Sequence, residues 1–412
     1  MLTRLFSHLD AQRETVIRWQ REMTSRPALG PENNGSGEID KARWLERELL
    51  RLGLSAVRRH DCPDARVPCG LRPNISARVA GKGPSTLWVV GHMDVVAPGE
   101  ERLWSSPPHE LRVDGDRLYG RGVEDNQQGI VTAMLAADAL LRCGATPDLA
   151  LGLLFVADEE TGMRHGLPHV LESCPELIGR EDLFLVPDMG DASGAMVEVA
   201  EKSCLWLRIT VTGRQCHTSV PDEGINSLVA ASACVLEMER LYRRFRAKDS
   251  LFSPSWSTFV PSKKEANVEH INTLPGRDVF YLDCRVLPEY DIADVENEVR
   301  AIASEVAARY RAGIAVDVVH RDQAPAPTSA ASPVVRRLCG ALERVRGVSP
   351  KICGVGGQTL ATYLRRRGFD AAVWATLLPN PHVPNECSSI SAAINDAGVV
   401  LGMLFDEADN QG

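Results

Sequence analysis

Histidines and carboxylates recur in this chain where apolar runs end. Leu87-Trp88-Val89-Val90 runs into Gly91-His92-Met93-Asp94, Leu151 to Val156 is followed one residue later by Asp158-Glu159-Glu160, and Leu183 to Val186 is followed by Pro187-Asp188. A fourth cluster, Tyr119-Gly120-Arg121-Gly122-Val123-Glu124-Asp125-Asn126, opens a helical pattern beginning near Gln127. Taken singly, each is ordinary: a histidine after a strand is usually solvated, Asp125 reads as a helix N-cap, and Glu159-Glu160 reads as a charged loop. Taken together, three strand ends and one helix start direct imidazole and carboxylate into one crevice, and mutually repelling carboxylates need a cation there. Imidazole and carboxylate without thiolate suit zinc and also cobalt or manganese. Two ions about 3.5–4 Å apart, sharing a carboxylate and each holding one imidazole, form the pattern of two-metal hydrolysis. That pattern needs a second histidine, and the best candidate is His382 in the proline-stiffened loop Pro379-Asn380-Pro381-His382-Val383-Pro384-Asn385-Glu386.

The elements that must position these residues follow from periodicity. Leu2, Leu5, Leu9, Val16 and Trp19 predict one opening amphipathic helix, and Ile39 to Leu52 a second. Apolar runs at 74–80, 86–90, 150–156 and 183–186 alternate with helical patterns at 127–141 and 165–172, which argues for an α/β layer with a largely parallel sheet. In such sheets ligands gather outside the carboxyl ends of the strands. Near residue 200 the rhythm becomes strand 203–212, helix 226–246, strands 267–273 and 279–286, helix 295–310 and strand 314–319, the β-α-β-β-α-β order of a ferredoxin-like unit. Gln323 to Pro333, rich in Pro, Ala and Ser, reads as a linker. The expected organisation is an α/β domain over residues 1–200 and 322–412, interrupted by an α+β domain at 201–321.

The 412 residues, 44% hydrophobic and 25% charged, describe an ordinary globular chain. A formal net charge of −9 without a clustered basic face argues against nucleic acid as a partner. Eleven cysteines without a C-x-x-C pair argue against a thiolate zinc site or a disulfide framework. Charges throughout the first residues and no long apolar run argue against a signal peptide or a membrane partner, leaving a cytoplasmic location as the expectation. His165 and His169 lack the Glu of an H-E-x-x-H helix, and His8, His60, His109, His270 and His320 have no adjacent carboxylate to separate them from solvated residues. No nucleophile elbow, phosphate loop or dinucleotide fingerprint occurs.

In order along nearly the whole chain, His92-Met93-Asp94, Tyr119 to Asn126, Asp158-Glu159-Glu160-Thr161-Gly162, Asp188 and His382 resemble the motif series of the dinuclear zinc hydrolases that include succinyl-diaminopimelate desuccinylase, acetylornithine deacetylase, aminoacylase, carnosine dipeptidase and glutamate carboxypeptidase. The resemblance implies a zinc-peptidase-like α/β catalytic domain with a mixed sheet and an inserted ferredoxin-like α+β dimerisation, or lid, domain, and hence a homodimer. It implies two Zn2+ per subunit, with Co2+ or Mn2+ as substitutes. His92 and Asp188 would hold one ion, Glu160 and His382 the other, and Asp125 would bridge them. Asp94 would orient His92, and Glu159 would be the general base that activates a metal-bridging water and protonates the leaving amine. His217, in Gly213-Arg214-Gln215-Cys216-His217-Thr218-Ser219, resembles a residue that reaches the partner subunit's site and steadies the oxyanion. Asn272 and Arg285 resemble binders of a substrate carboxylate, and Gly357 and Thr359 fall in a loop closing over it.

The activity so implied is metal-dependent cleavage of the amide bond of small N-acyl amino acids or dipeptides. An Asp at position 188 favours a small peptide, and Gly356-Gly357-Gln358-Thr359 departs from the corresponding loop of desuccinylases. The alternatives are a desuccinylase- or acetylornithine-deacetylase-like deacylase and a hydrolase of carbamoyl or ureido linkages. A non-catalytic relative is disfavoured because every proposed ligand and Glu159 are present.

Overall fold

Strands that must be covered on both faces are written as unbroken apolar runs, and this rule builds the central sheet. In the computed structural model, which describes residues 1–405, every residue of Thr86–His92, Ala150–Val156 and Ala371–Thr376 is buried. The eight-stranded sheet runs, edge to edge, Arg58–Arg59, Ile75–Val79, Ala150–Val156, Thr86–His92, Leu183–Asp191, Ala371–Thr376, Met196–Glu201 and Lys351–Val355. The four central strands, Ala150–Val156 through Ala371–Thr376, are mutually parallel, whereas Ile75–Val79 and Met196–Glu201 pair antiparallel on either side. The sheet is therefore mixed.

Helix Gln127–Cys143, buried from Gln127 to Leu140, packs with Ile390–Leu404 and the two N-terminal helices on one side of the sheet. Leu167–Ser173 and Ala361–Arg366 contribute Leu167, Val170, Ala361 and Leu364 to a second core with Trp88, Leu154 and Phe184. The N-terminal stripe predicted as one helix is two, Leu2–Asp10 and Arg13–Thr24. Between them Gln12 turns its side-chain amide back to the His8 carbonyl, 3.1 Å away, adding a second donor to an acceptor that the Ala11 N–H already reaches at 3.3 Å.

The chain divides into two compact units. Among the described residues, one comprises Met1–Val199, Thr328–Ile352 and Thr359–Phe405; the other comprises Ala200–Pro327 and Cys353–Gln358. The second unit has an antiparallel sheet in the order Thr258–Lys264, Arg277–Val286, Ser203–Thr212 and Gly313–Asp322. Leu205, Leu207 and Ile209 point to a core shared with helices Ser227–Glu237 and Ile292–Tyr310, and the alternate residue Trp206 is 41% exposed. One predicted strand is misplaced. Residues 267–273 are mostly irregular, and the second strand of the sheet is Thr258–Lys264, whose Pro261 reads as a breaker. Proline is tolerated there because this is an edge strand, and the register shifts between Pro261 and Lys263.

Candidate metal centre and active site

The carboxyl ends of all four parallel strands lead into one cluster. His92 closes its strand with 1% of its side chain exposed, and its Nε2 lies 2.9 Å from Asp125 Oδ1 and 3.5 Å from Asp188 Oδ1. His382, reached after strand Ala371–Thr376, places Nε2 3.0 Å from Asp125 Oδ2 and 3.2 Å from Glu160 Oε2. Two groups of potential ligands result, His92 with Asp125 and Asp188, and Asp125 with Glu160 and His382; within each, the ligand atoms lie within 4.8 Å of one another. Asp125 belongs to both. It is not a helix N-cap: Asn126 occupies that position in Gln127–Cys143 and gives its side chain to the Pro187 carbonyl and Asp188.

The local backbone is shaped for this convergence. Asp158, immediately before Glu159, has φ +60°, and His382 has φ +62°, left-handed conformations in which Asp and His are enriched and which residues usually adopt only where their surroundings hold them. Gly122, at φ +85°, lies in the turn before Asp125, and a Cβ there would sit 2.4 Å from Val95 Cγ1.

The cluster fits divalent metal on its own chemistry. His92 Nδ1 is 3.1 Å from the Asp94 carbonyl, which can only accept, so Nδ1 carries a hydrogen, and Nε2, 2.9 Å from Asp125 Oδ1, is the nitrogen that would bind a metal in place of a second proton. Asp94 does more than face His92. Its Oδ1 and Oδ2 accept the backbone N–H groups of Glu159 and Glu160, each at 3.0 Å, and so hold the turn that presents both glutamates. Without a cation the charges strain against one another. Burial and then the charge of Asp188, with Glu160 and Asp125 behind it, push the Glu159 carboxyl well above its ordinary value. Burial and the Asp125 charge raise Glu160 to about 7 against the opposing pull of His382. Hydrogen bonds to Asp125 and Glu160 raise His382 to about 10.

Several supporting residues are invisible to local sequence reading. Lys41, 1% exposed, donates from Nζ to the Met93 carbonyl at 2.8 Å, and burial lowers it to about 8 despite Asp94 and Glu38. Fully buried Arg72 is paired with Glu38 and lies 3.4 Å from Asp158. His165, excluded from sequence only as part of a zinc helix, bonds Asp158 Oδ2 through Nδ1 at 2.7 Å, and His8, grouped from sequence with solvated residues, meets Asp138 at 2.8 Å. Those partners lie 7 and 130 residues away, beyond the neighbours that local context inspects.

In the second unit, the predicted residues are placed differently. His217 is exposed, with Nδ1 accepting the Ser219 N–H at 3.1 Å. Exposed Asn272 gives its backbone carbonyl to Thr218. Arg285 is already engaged, Nε to Asp283 Oδ1 at 2.8 Å and Nη1 to the Gly356 carbonyl at 3.0 Å. Gly357 is half-buried; in the first unit, Thr359 is 1% exposed and accepts the Ala361 N–H at 3.1 Å. A cavity of about 400 Å³, lined by residues including Arg58, His60, Ser76 and Trp88, shares no lining residue with the metal-ligand cluster.

Comparison with known proteins defines the class. The model of peptidase family M20/M25/M40 matches residues 88–406. An uncharacterized metallohydrolase of Methanococcus maripaludis is 32% identical over 413 residues, covering 95% of this chain and 99% of its own. Succinyl-diaminopimelate desuccinylase of Alkalilimnicola ehrlichii is 31% identical over 244 residues, 59% of this chain and 63% of its own. The crystal structure of human carnosine dipeptidase 1 has the same fold, with a TM-score of 0.76 at 16% identity over 98% of each chain. The fold and the site thus define a metal-dependent hydrolase. The chain belongs to peptidase family M20/M25/M40, whose members carry out metal-dependent amide hydrolysis.

Proposed function

We propose that this protein is a dinuclear zinc hydrolase that cleaves the amide bond of dipeptides or small N-acyl amino acids. The observation that carries the reading is Asp125, one carboxylate shared by two imidazole-containing ligand groups with the half-buried Glu159 beside them. His92 and Asp188 would hold one ion, Glu160 and His382 the other, with Asp125 between. Ions bound there would polarise the scissile carbonyl and lower the pKa of the attacking water. The chain's own residues do the remaining work. Glu159, next to Glu160 and engaged in neither ligand group, takes a proton from the attacking water and returns it to the departing nitrogen. Asp94 keeps His92 in the ligating tautomer and fixes the Glu159 turn.

His217 contributes from a second copy of the chain. Its Nδ1 accepts a hydrogen bond, so the neutral ring presents Nε2–H as a donor for the oxyanion. Homodimerisation is supported by the exposed apolar residues Val229 and Leu236 on helix Ser227–Glu237 and Val318 and Val319 on the edge strand Gly313–Asp322, surfaces that a second copy would cover. Among the described residues no helix is long and apolar enough to cross a membrane, and eleven thiols suit the cytoplasm.

Metal analysis of the purified protein, beside amine release from dipeptides and from N-acetyl, N-succinyl and N-carbamoyl amino acids with Zn2+, Co2+ and Mn2+, tests the reading. About two ions per chain and turnover of dipeptides or N-acetyl amino acids are expected. Turnover confined to N-succinyl or N-carbamoyl substrates would replace the substrate class, and neither metal nor turnover would overturn the proposal.

A further inference from the structure

The loop that carries His382 and the turn that carries Asp125 are distant in sequence, yet one buried side chain holds them together. Glu386, 1% exposed, ends the His382 loop. Its Oε2 accepts from Arg121 Nη1 at 2.7 Å and the Gly122 N–H at 2.9 Å, and its Oε1 accepts from the N–H groups of Glu124 at 3.0 Å and Asp125 at 3.2 Å. Four donors from a single turn therefore converge on one carboxylate. Three further bonds stitch the same two segments: the Gly120 N–H to the Glu386 carbonyl at 3.1 Å, Arg121 Nη2 to the Val383 carbonyl at 3.4 Å, and the Leu378 N–H to Glu124 Oε1. Strand Cys387–Ser389 pairs with Arg117–Tyr119, so the clasp sits where two short strands end.

The two ligand groups depend on this arrangement unequally. His92 and Asp188 ride on adjacent strands of the central sheet, fixed by the backbone ladder. His382 is 53% exposed on an irregular loop, and its distance from Asp125 is set by whatever ties that loop to the Asp125 turn. We propose that Glu386 is a positioning residue that assembles the second metal position, formed by Asp125, Glu160 and His382, by clasping the Asp125 turn to the His382 loop. This rests on the two-metal reading above.

Glu386→Gln is the discriminating change. The carboxylate receives donors at both oxygens, and a carboxamide turns an NH2 group toward two of them, losing acceptors where only acceptors fit. Zinc and cobalt titrations of the metal-free wild type and variant, followed by calorimetry and the visible cobalt spectrum, read the effect directly. In the variant the second equivalent should bind about 10- to 100-fold more weakly with the first unchanged, and excess metal should restore most of kcat at an unchanged KM. Wild-type affinity for both equivalents, or equal weakening of both, would overturn the proposal. Should Glu386→Gln fail to fold, Arg121→Lys replaces the two guanidinium nitrogens that reach Glu386 and Val383 with one ammonium and so loosens the clasp more gently; it should weaken the second equivalent several-fold, and unchanged binding by folded Arg121→Lys would overturn the proposal. A wild type that takes up fewer than two ions would sink the two-metal reading itself, a result separable from any behaviour of the variants.

Discussion

His92, Asp94 and Glu160 are buried to 6% side-chain exposure or less, in a cluster where carboxylates face carboxylates. In the second unit, His217 and Asn272 are exposed and Arg285 is neutralised two residues away by Asp283. The first arrangement is unfavourable by itself, since buried like charges repel and lose hydration, and a bound cation relieves both penalties. The second needs nothing bound to be stable. A residue that is content in the isolated chain declares its function only when substrate or a second copy arrives, and a residue held at a cost declares it at once.

Experiments that break or sharpen this contrast can be ordered by expected effect. Glu159→Gln should lower kcat by about 10³-fold or more while metal content stays near that of the wild type. A variant retaining a tenth of the rate would remove Glu159 from its role. His217→Ala should lower kcat by about 10²-fold, again without metal loss. Mixing it with Glu159→Gln should recover part of the activity, because one hybrid site would combine an intact Glu159 with an intact His217; no recovery after verified subunit exchange would confine the second unit to a structural part.

His382→Ala removes one ligand of the second group, and metal per chain should fall from about two toward about one when measured after dialysis. Unchanged stoichiometry would show that this imidazole is not a ligand. Arg285→Ala should raise KM by about tenfold for substrates bearing a free carboxylate and leave substrates without one unaffected, if substrate displaces Asp283 from the guanidinium. A change in thermal stability alone would mark the pair as structural. The smallest effect is expected from Leu236→Glu, a surface position at 72% exposure, which should leave the fold intact and shift the protein toward monomer in light scattering.

The convergence of the candidate ligands was legible because they sit at punctuation points of the chain. His92, Glu160 and Asp188 each follow or end an apolar run, and a parallel sheet sends all such ends to one edge. The four-stranded sheet was legible where strands alternate, as at Ser203–Thr212, and illegible at Thr258–Lys264, where an edge position excuses a proline that a central strand could not hold. The surroundings of the cluster were not legible. Nothing local marks Lys41 as buried against the Met93 carbonyl, or Arg72 as the counter-ion of Glu38 and neighbour of Asp158.

By itself, then, the sequence determined the types and order of the candidate ligands and the sheet that gathers them, because periodicity and apolar runs are properties of neighbouring residues. Only the tertiary structure decided that Glu386 grips the Asp125 turn, that Asp94 holds the Glu159–Glu160 turn, and that Arg285 is paired with Asp283 and the Gly356 carbonyl. A buried charge takes whichever partner the fold brings within about 3 Å, and for Glu386 that partner lies more than 260 residues away along the chain.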